Sequence, residues 1–291
     1  MTAEIIDGKK ISKKIKEGVK TKVKKTVSEA NVHPNVATIK IGDNSQSNLY
    51  LKLRDKAAKK AGIKSTHETL PENVSEKKVL KTIEKLNKNP EVHGIFVQYP
   101  IPDHISSQKI KETIDPIKDA EGLTPYNTGR LFIGDENIVP CTPLAVIKIL
   151  EYLDVDLQGK DTVVINHSNV VGKPLTGLLL NRNTSVSVCH VFTKNLSEYT
   201  KKADIVVSAT GKPGLITKEF IKKDSIVIDV GIIKTEKGIT GDVNFEQVKD
   251  KAGKITPVPG GVGPVTVACS LLNMYKTYLN CIKKTKFNYL K

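Results

Sequence analysis

The sequence has no tryptophan, two methionines and only 5% aromatic residues. With so few rings, and none clustered among its lysines, it offers no stacking platform for nucleic-acid bases. Four cysteines, Cys141, Cys189, Cys269 and Cys281, lie far apart, without a C-x-x-C pair or a histidine at zinc-ligand spacing. This argues against a structural metal and against a disulfide framework. No apolar run approaches the roughly 18 to 20 residues that span a bilayer. The opening Met-Thr-Ala-Glu-Ile-Ile-Asp-Gly-Lys-Lys also lacks the apolar stretch and small residues of a secretory signal. The expectation is a cytoplasmic protein without a membrane partner.

What is present suits a folded enzyme-sized chain. Its 291 residues, 38% of them hydrophobic, suffice for one large or two medium domains. Lys plus Arg number 46 against 31 Asp plus Glu, a formal charge of +15. The basic residues are spread along the chain, densest at Lys9 to Lys25 and Lys283 to Lys291, and read as solvated helix faces. RNA binding is the competing reading of that charge, and steep salt dependence would be its signature.

Apolar residues at Ile11, Ile15, Val19, Val23 and Val27 make one stripe of an amphipathic helix. A strand at 36–41, a helix at 48–61 stopped by Gly62, a strand at 63–70, a helix at 76–86 and a strand at 94–98 follow. Periodicity fades between Asp115 and Thr142, where Pro116, Gly122, Pro125, Gly129, Gly134 and Pro140 punctuate the chain as an inter-domain connection would. A helix at 144–153 then leads into β-branched runs at 162–165, 185–188, 204–207 and 225–230, each read as a strand covered on both faces. A last helix begins at Val265, after the loop from Pro257 to Pro264. Alternating strands and helices predict an α/β protein with a largely parallel sheet.

The first candidate for chemistry is Asn166-His167-Ser168-Asn169-Val170-Val171-Gly172-Lys173-Pro174, between a predicted strand and a predicted helix. Backbone N–H groups there can hold a pyrophosphate. The segment does not match G-x-G-x-x-G, and on spacing alone an ordinary strand-to-helix turn explains it equally well.

The same segment resembles the G-x-S-x-x-V-G-x-P nucleotide loop of the methylenetetrahydrofolate dehydrogenase/cyclohydrolase family, the FolD type, through Ser168, Val171, Gly172 and Pro174. Asn166 replaces the first glycine, a mild departure if that position needs positive φ, which asparagine tolerates. Further motifs occur in family order: Ile6-Asp7-Gly8-Lys9, Val97-Gln98-Tyr99-Pro100-Ile101-Pro102, Pro125-Tyr126-Asn127-Thr128-Gly129-Arg130, Pro140-Cys141-Thr142-Pro143, Asp229-Val230-Gly231-Ile232, Gly241-Asp242-Val243 and Thr256 to Pro264.

The resemblance implies two domains, an N-terminal α/β folate domain and a Rossmann-like NAD(P)-binding domain, with the active cleft between them. The boundaries expected are 1–140 for the folate domain, completed by a terminal helix at about 265–291, and 141–264 for the cofactor domain. The implied catalytic residues are Tyr50, Arg54 and Gln98; Tyr50, Gln98, Glu121, Gly261 and Pro264 are implied to bind substrate. Asn166, Ser168, Val171, Gly172, Lys173, Pro174, His190 and Ile232 are implied to bind cofactor, and no metal is implied. NADP is favoured over NAD, because Cys189, His190, Val191 and Phe192 provide no carboxylate for a ribose hydroxyl. A homodimer through the cofactor domain is also implied.

Two departures touch chemistry directly. Arg54 stands where the family has lysine, and Glu121 where it has aspartate. Tyr50, Arg54, Ala57 and Ala61 share one helix face, which turns Arg54 inward; a snorkelling arginine is the alternative. Hydride removal needs positioning above all, whereas hydration needs a proton acceptor, and a guanidinium cannot serve as one. The expectation is dehydrogenase activity with weakened cyclohydrolase activity, or, if these departures are more severe, a catalytically silent folate or nucleotide binder. Glu121 projects its carboxylate about 1.5 Å further than aspartate would, and Asp119 is a conceivable substitute.

Overall fold

The computed structural model describes residues 2–43, 45–236 and 238–288, excluding the side chains of 45–47 and 284–288. In chain order its elements begin β1 (Glu4–Ile5), α1 (Gly8–Ala30), β2 (Asn35–Ile41), α2 (Ser45–Lys60), β3 (Lys64–Leu70), α3 (Glu76–Lys88) and β4 (Gly94–Val97). Next come α4 (Ser107–Thr113), α5 (Pro125–Phe132), α6 (Cys141–Tyr152), β5 (Asp161–Ile165), α7 (Gly172–Leu180), β6 (Ser185–Cys189) and α8 (Leu196–Thr200). The chain ends with β7 (Ile205–Ser208), β8 (Ile226–Asp229), β9 (Ile233–Thr235), β10 (Gly238–Thr240), α9 (Phe245–Val248), β11 (Lys254–Ile255) and α10 (Val262–Asn288). The end of the expected terminal helix, and of the second basic patch, at 289–291 lies outside the described residues.

Two compact units share this chain, and neither is a continuous stretch. One comprises residues 14–130, 136–141 and 267 onward; the other comprises the segment up to Lys13, residues 131–135 and residues 142–266. The first contains a parallel three-stranded sheet, ordered β3-β2-β4. Val36, Phe96, Ala58 and Ala61 pack on one side with Val19 and Val23 of α1 and with Leu271 and Met274 of α10. Ile39, Ile95 and Val97 pack with Val79, Ile83 and Leu86 of α3. The helical stripe read in α1 is buried at Ile11, Val19 and Val23. Gly62 takes φ +79 after α2, a conformation open to glycine without steric cost.

The second unit holds a parallel six-stranded sheet, ordered β1-β11-β8-β7-β5-β6. Its β7 is buried throughout, as a strand covered on both faces must be. The expectation of two covered faces fails for β6, where only Cys189 is buried. An edge strand has one neighbour and less covering, and Ser185 and Ser187 fit that setting. The sheet begins with the two residues of β1, which pair with β11 in parallel. The punctuated segment before residue 142 also contains more order than expected, because α5 begins at Pro125, where proline's missing N–H costs a helix nothing.

Candidate active site

Three of the four chemistry-bearing residues of the first unit sit near strand ends or on the helix crossing them. Tyr50 and Arg54 are one turn apart on α2, and Gln98 directly follows β4. Arg54 is only 2% exposed, which excludes the snorkelling alternative. Its Nη2 donates to Thr38 Oγ1 at 2.5 Å, and its Cζ lies 4.2 Å from the centroid of the Phe96 ring. Asp55 Oδ1 is 3.9 Å from the same nitrogen. Arg54 Nε is buried and finds no hydrogen-bond partner among the described residues. A buried guanidinium with donors to spare costs stability, and ligand binding is a common reason for such a residue to persist.

Glu121 lies in the loop after β4 and α4. Burial, and after it the Asp119 carboxylate, push its carboxyl up to about 8; Arg54, Lys111 and the Val97 backbone N–H oppose the shift. Burial also raises the Tyr50 phenol, reinforced by Cys141 and Glu121, while Arg54 and a hydrogen bond with Ser270 pull it down. These mutual influences place Tyr50, Arg54 and Glu121 in one electrostatic neighbourhood. Gln98 is half-buried, and its side-chain amide donates a long bond, 3.4 Å, to Tyr99 O.

Asp119 cannot stand in for Glu121. Its Oδ1 accepts from the Glu121 and Gly122 N–H groups at 3.2 and 2.8 Å, and its Oδ2 from Thr124 N–H and Asn127 Nδ2 at 2.8 and 3.0 Å. Its carboxylate holds the Glu121 loop in shape. Asn273 of α10 supports the loop from behind, donating to Ala120 O at 3.1 Å and Val139 O at 2.8 Å. Neither Thr38 nor Asn273 was legible as a site residue, since each looks like an ordinary residue of its element.

The second unit carries the nucleotide loop between β5 and α7. Asn166 Oδ1 accepts from Ser168 N–H at 2.8 Å and Gly172 N–H at 3.0 Å, while Nδ2 donates to Ala209 O at 2.6 Å. Asn166 is absent from the described non-glycine residues with positive φ, so tolerance of that conformation is not why asparagine works here. Its side chain instead braces the loop. Ser168 Oγ accepts from Val171 N–H at 3.1 Å, and Lys173 Nζ donates to Asn169 Oδ1 at 2.8 Å. Gly172 is required by closeness, because a Cβ there would lie 1.9 Å from Asn166 O. Pro174 is buried in the first turn of α7.

His190, just past β6, lies against His167 with ring centroids 4.6 Å apart and planes tilted by 36°. Its Nδ1 accepts from Phe192 N–H at 3.2 Å. Ile232 is 67% exposed, after a turn braced by Asp229, which accepts from the Gly231, Asp242 and Val243 N–H groups. Gly261 and Pro264 belong to this unit too, whereas Tyr50 and Arg54 belong to the other. Gly261 N–H donates to Pro257 O, and Pro264 O accepts from Ser12 Oγ.

A parallel sheet with a tight glycine-containing turn leading from strand to helix is the architecture shared by dinucleotide-binding α/β proteins, the dehydrogenases among them. Residues 6–121 match the family description "Tetrahydrofolate dehydrogenase/cyclohydrolase, catalytic domain", and residues 140–282 match its "NAD(P)-binding domain". The Bifunctional protein FolD of a Nitratiruptor species is 48% identical over 94% of this chain and 97% of its own. That of Methanosarcina mazei is 47% identical over 97% of both. The crystal structure of the bifunctional FolD enzyme from Campylobacter jejuni superposes with a TM-score of 0.93 at 45% identity, covering 96% of this chain and 99% of the other. A Trypanosoma brucei FolD structure complexed with NADP cofactor and inhibitor gives 0.91 at 36% identity, covering 98% and 99%. The chain belongs to the tetrahydrofolate dehydrogenase/cyclohydrolase family.

Proposed function

We propose that the protein oxidises 5,10-methylenetetrahydrofolate to 5,10-methenyltetrahydrofolate with NADP, and that its methenyltetrahydrofolate cyclohydrolase step is weak. The observation that carries this reading is a buried guanidinium beside Tyr50 and Glu121 in a member of this family. NADP, when bound, supplies the hydride acceptor. The donor set around the nucleotide loop fits a cofactor with an extra phosphate: Lys173, the His167–His190 pair and no carboxylate just after β6. Asn166, Ser168, Val171, Gly172 and Pro174 would shape the loop for the pyrophosphate, and Ile232, Gly261 and Pro264 would border the reacting end.

Hydride loss leaves a cation spread over two folate nitrogens. Tyr50 and Gln98 would orient the ring, and Glu121, its carboxyl pushed up to about 8 and so mostly protonated at pH 7, would give the ring a neutral hydrogen-bonding group. Hydration of the product makes a different demand, because the attacking water must lose a proton. Arg54 cannot take it, and a phenol raised in pKa cannot either. A cytoplasmic homodimer joined through the larger-sheet unit completes the reading; sedimentation tests the assembly.

The deciding experiment supplies methylenetetrahydrofolate with NADP or NAD and follows reduced cofactor and methenyl product together. Methenyl product should accumulate, and Arg54→Lys should speed its hydrolysis at least about 10-fold. Fast hydrolysis by the unmodified enzyme, unchanged by that substitution, would refute the divided activity. Absence of both products would refute the function.

A further inference from the structure

Arg54 is one of three arginines among 46 Lys plus Arg residues, so an arginine here is not a matter of composition. The sheet beneath α2 contains a matching seat. Thr38 on β2 is in register with Phe96 on β4 and with His67 on β3. Parallel partners in register project to the same face, so these three form a row across the sheet. All three meet the consecutive residues Arg54 and Asp55: Thr38 by its hydroxyl, Phe96 by its ring face and His67 by Nε2, 3.0 Å from Asp55 Oδ2.

We propose that Thr38 is the positioning residue of this site, its hydroxyl fixing the Arg54 guanidinium over the Phe96 ring in the orientation the reaction requires. The inference rests on the proposed function and adds a residue to it. A planar guanidinium suits a ring face and directs its bonds along a fixed fork, whereas an ammonium is a point charge that needs neither. Thr38 is 1% exposed and its hydroxyl has no solvent alternative. With Nη2 bonded to Thr38, the cation is held on one side, and its buried Nε has no hydrogen-bond partner among the described residues.

The test compares Thr38→Val, which keeps the shape and removes the hydroxyl, with Thr38→Ser, which keeps the hydroxyl. For hydride transfer, Thr38→Val should lower kcat about 10- to 100-fold at unchanged KM for NADP, and Thr38→Ser should stay within about 3-fold of the unmodified enzyme. A Thr38→Val enzyme with normal kcat, or a Thr38→Ser enzyme equally impaired, would overturn the proposal. Arginine side-chain NMR provides an arm independent of turnover. The Arg54 Nη protons should give separate signals in the unmodified protein and merge in Thr38→Val, as rotation is released. Merged signals in the unmodified protein, or separate signals in both, would overturn the seat. If the unmodified protein makes no methenyl product, the proposed function fails and the NMR arm still decides whether Thr38 holds Arg54.

Discussion

Replacing Glu121 with glutamine keeps the size of the side chain and removes its titration. In the folded protein this carboxyl protonates at about 8, against an ordinary value of 4.5. Between those values the folded state holds a proton that the unfolded state has released, so stability falls as pH rises through the window. At about 1.4 kcal/mol per pH unit, the mismatch costs about 3 kcal/mol at pH 7 and about 5 kcal/mol above pH 8. Glutamine is neutral in both states, and its oxygen can still accept from the Val97 N–H. Glu121→Gln should therefore stabilise the protein by about 3 kcal/mol at pH 7 and by less than about 1 kcal/mol at pH 5. Urea unfolding followed by circular dichroism at pH 5, 7 and 9 measures the difference. An equal gap at all three pH values, or a native protein that gains stability from pH 5 to 8 relative to the variant, would refute the desolvation argument.

Gly172→Ala should weaken NADP binding by more than about 10-fold, since a Cβ placed 1.9 Å from Asn166 O forces the loop off α7; titration of cofactor fluorescence reads this directly, and unchanged affinity would contradict it. Asp119→Asn turns one of the two acceptor oxygens toward N–H donors as an amide, and should cost about 2 to 3 kcal/mol in urea unfolding together with most turnover. A loss under about 0.5 kcal/mol would mean the Glu121 loop holds its shape without that carboxylate.

The alternation of strands and helices was legible because the two periods, 2 and 3.6, leave different local patterns. Hence β2, β4 and β5 fall where their apolar runs predict. The inward face of Arg54 followed from Ala57 and Ala61 sharing it, and its burial agrees. What holds Arg54 was not legible, because the Thr38–Phe96 pairing depends on register between strands nearly sixty residues apart in the chain. Short elements such as β1, β11 and the β9–β10 hairpin escaped for a related reason: two or three residues carry no period, and their partners define them. Asn166 shows the opposite error, a local conformational rule invoked where a side-chain brace was at work.

The pairing of Glu4 with Lys254, and the shared core of Val19 and Val23 with Leu271 and Met274, have a consequence during synthesis. On the ribosome, β1 waits for almost the whole chain before its partner emerges, and α1 waits longer for α10. Each unit must then close on segments separated by more than two hundred positions, a high-contact-order task that favours slow completion. A chain stopped after Asp250 should leave both units unfinished, sensitive to protease, rather than one folded and one missing.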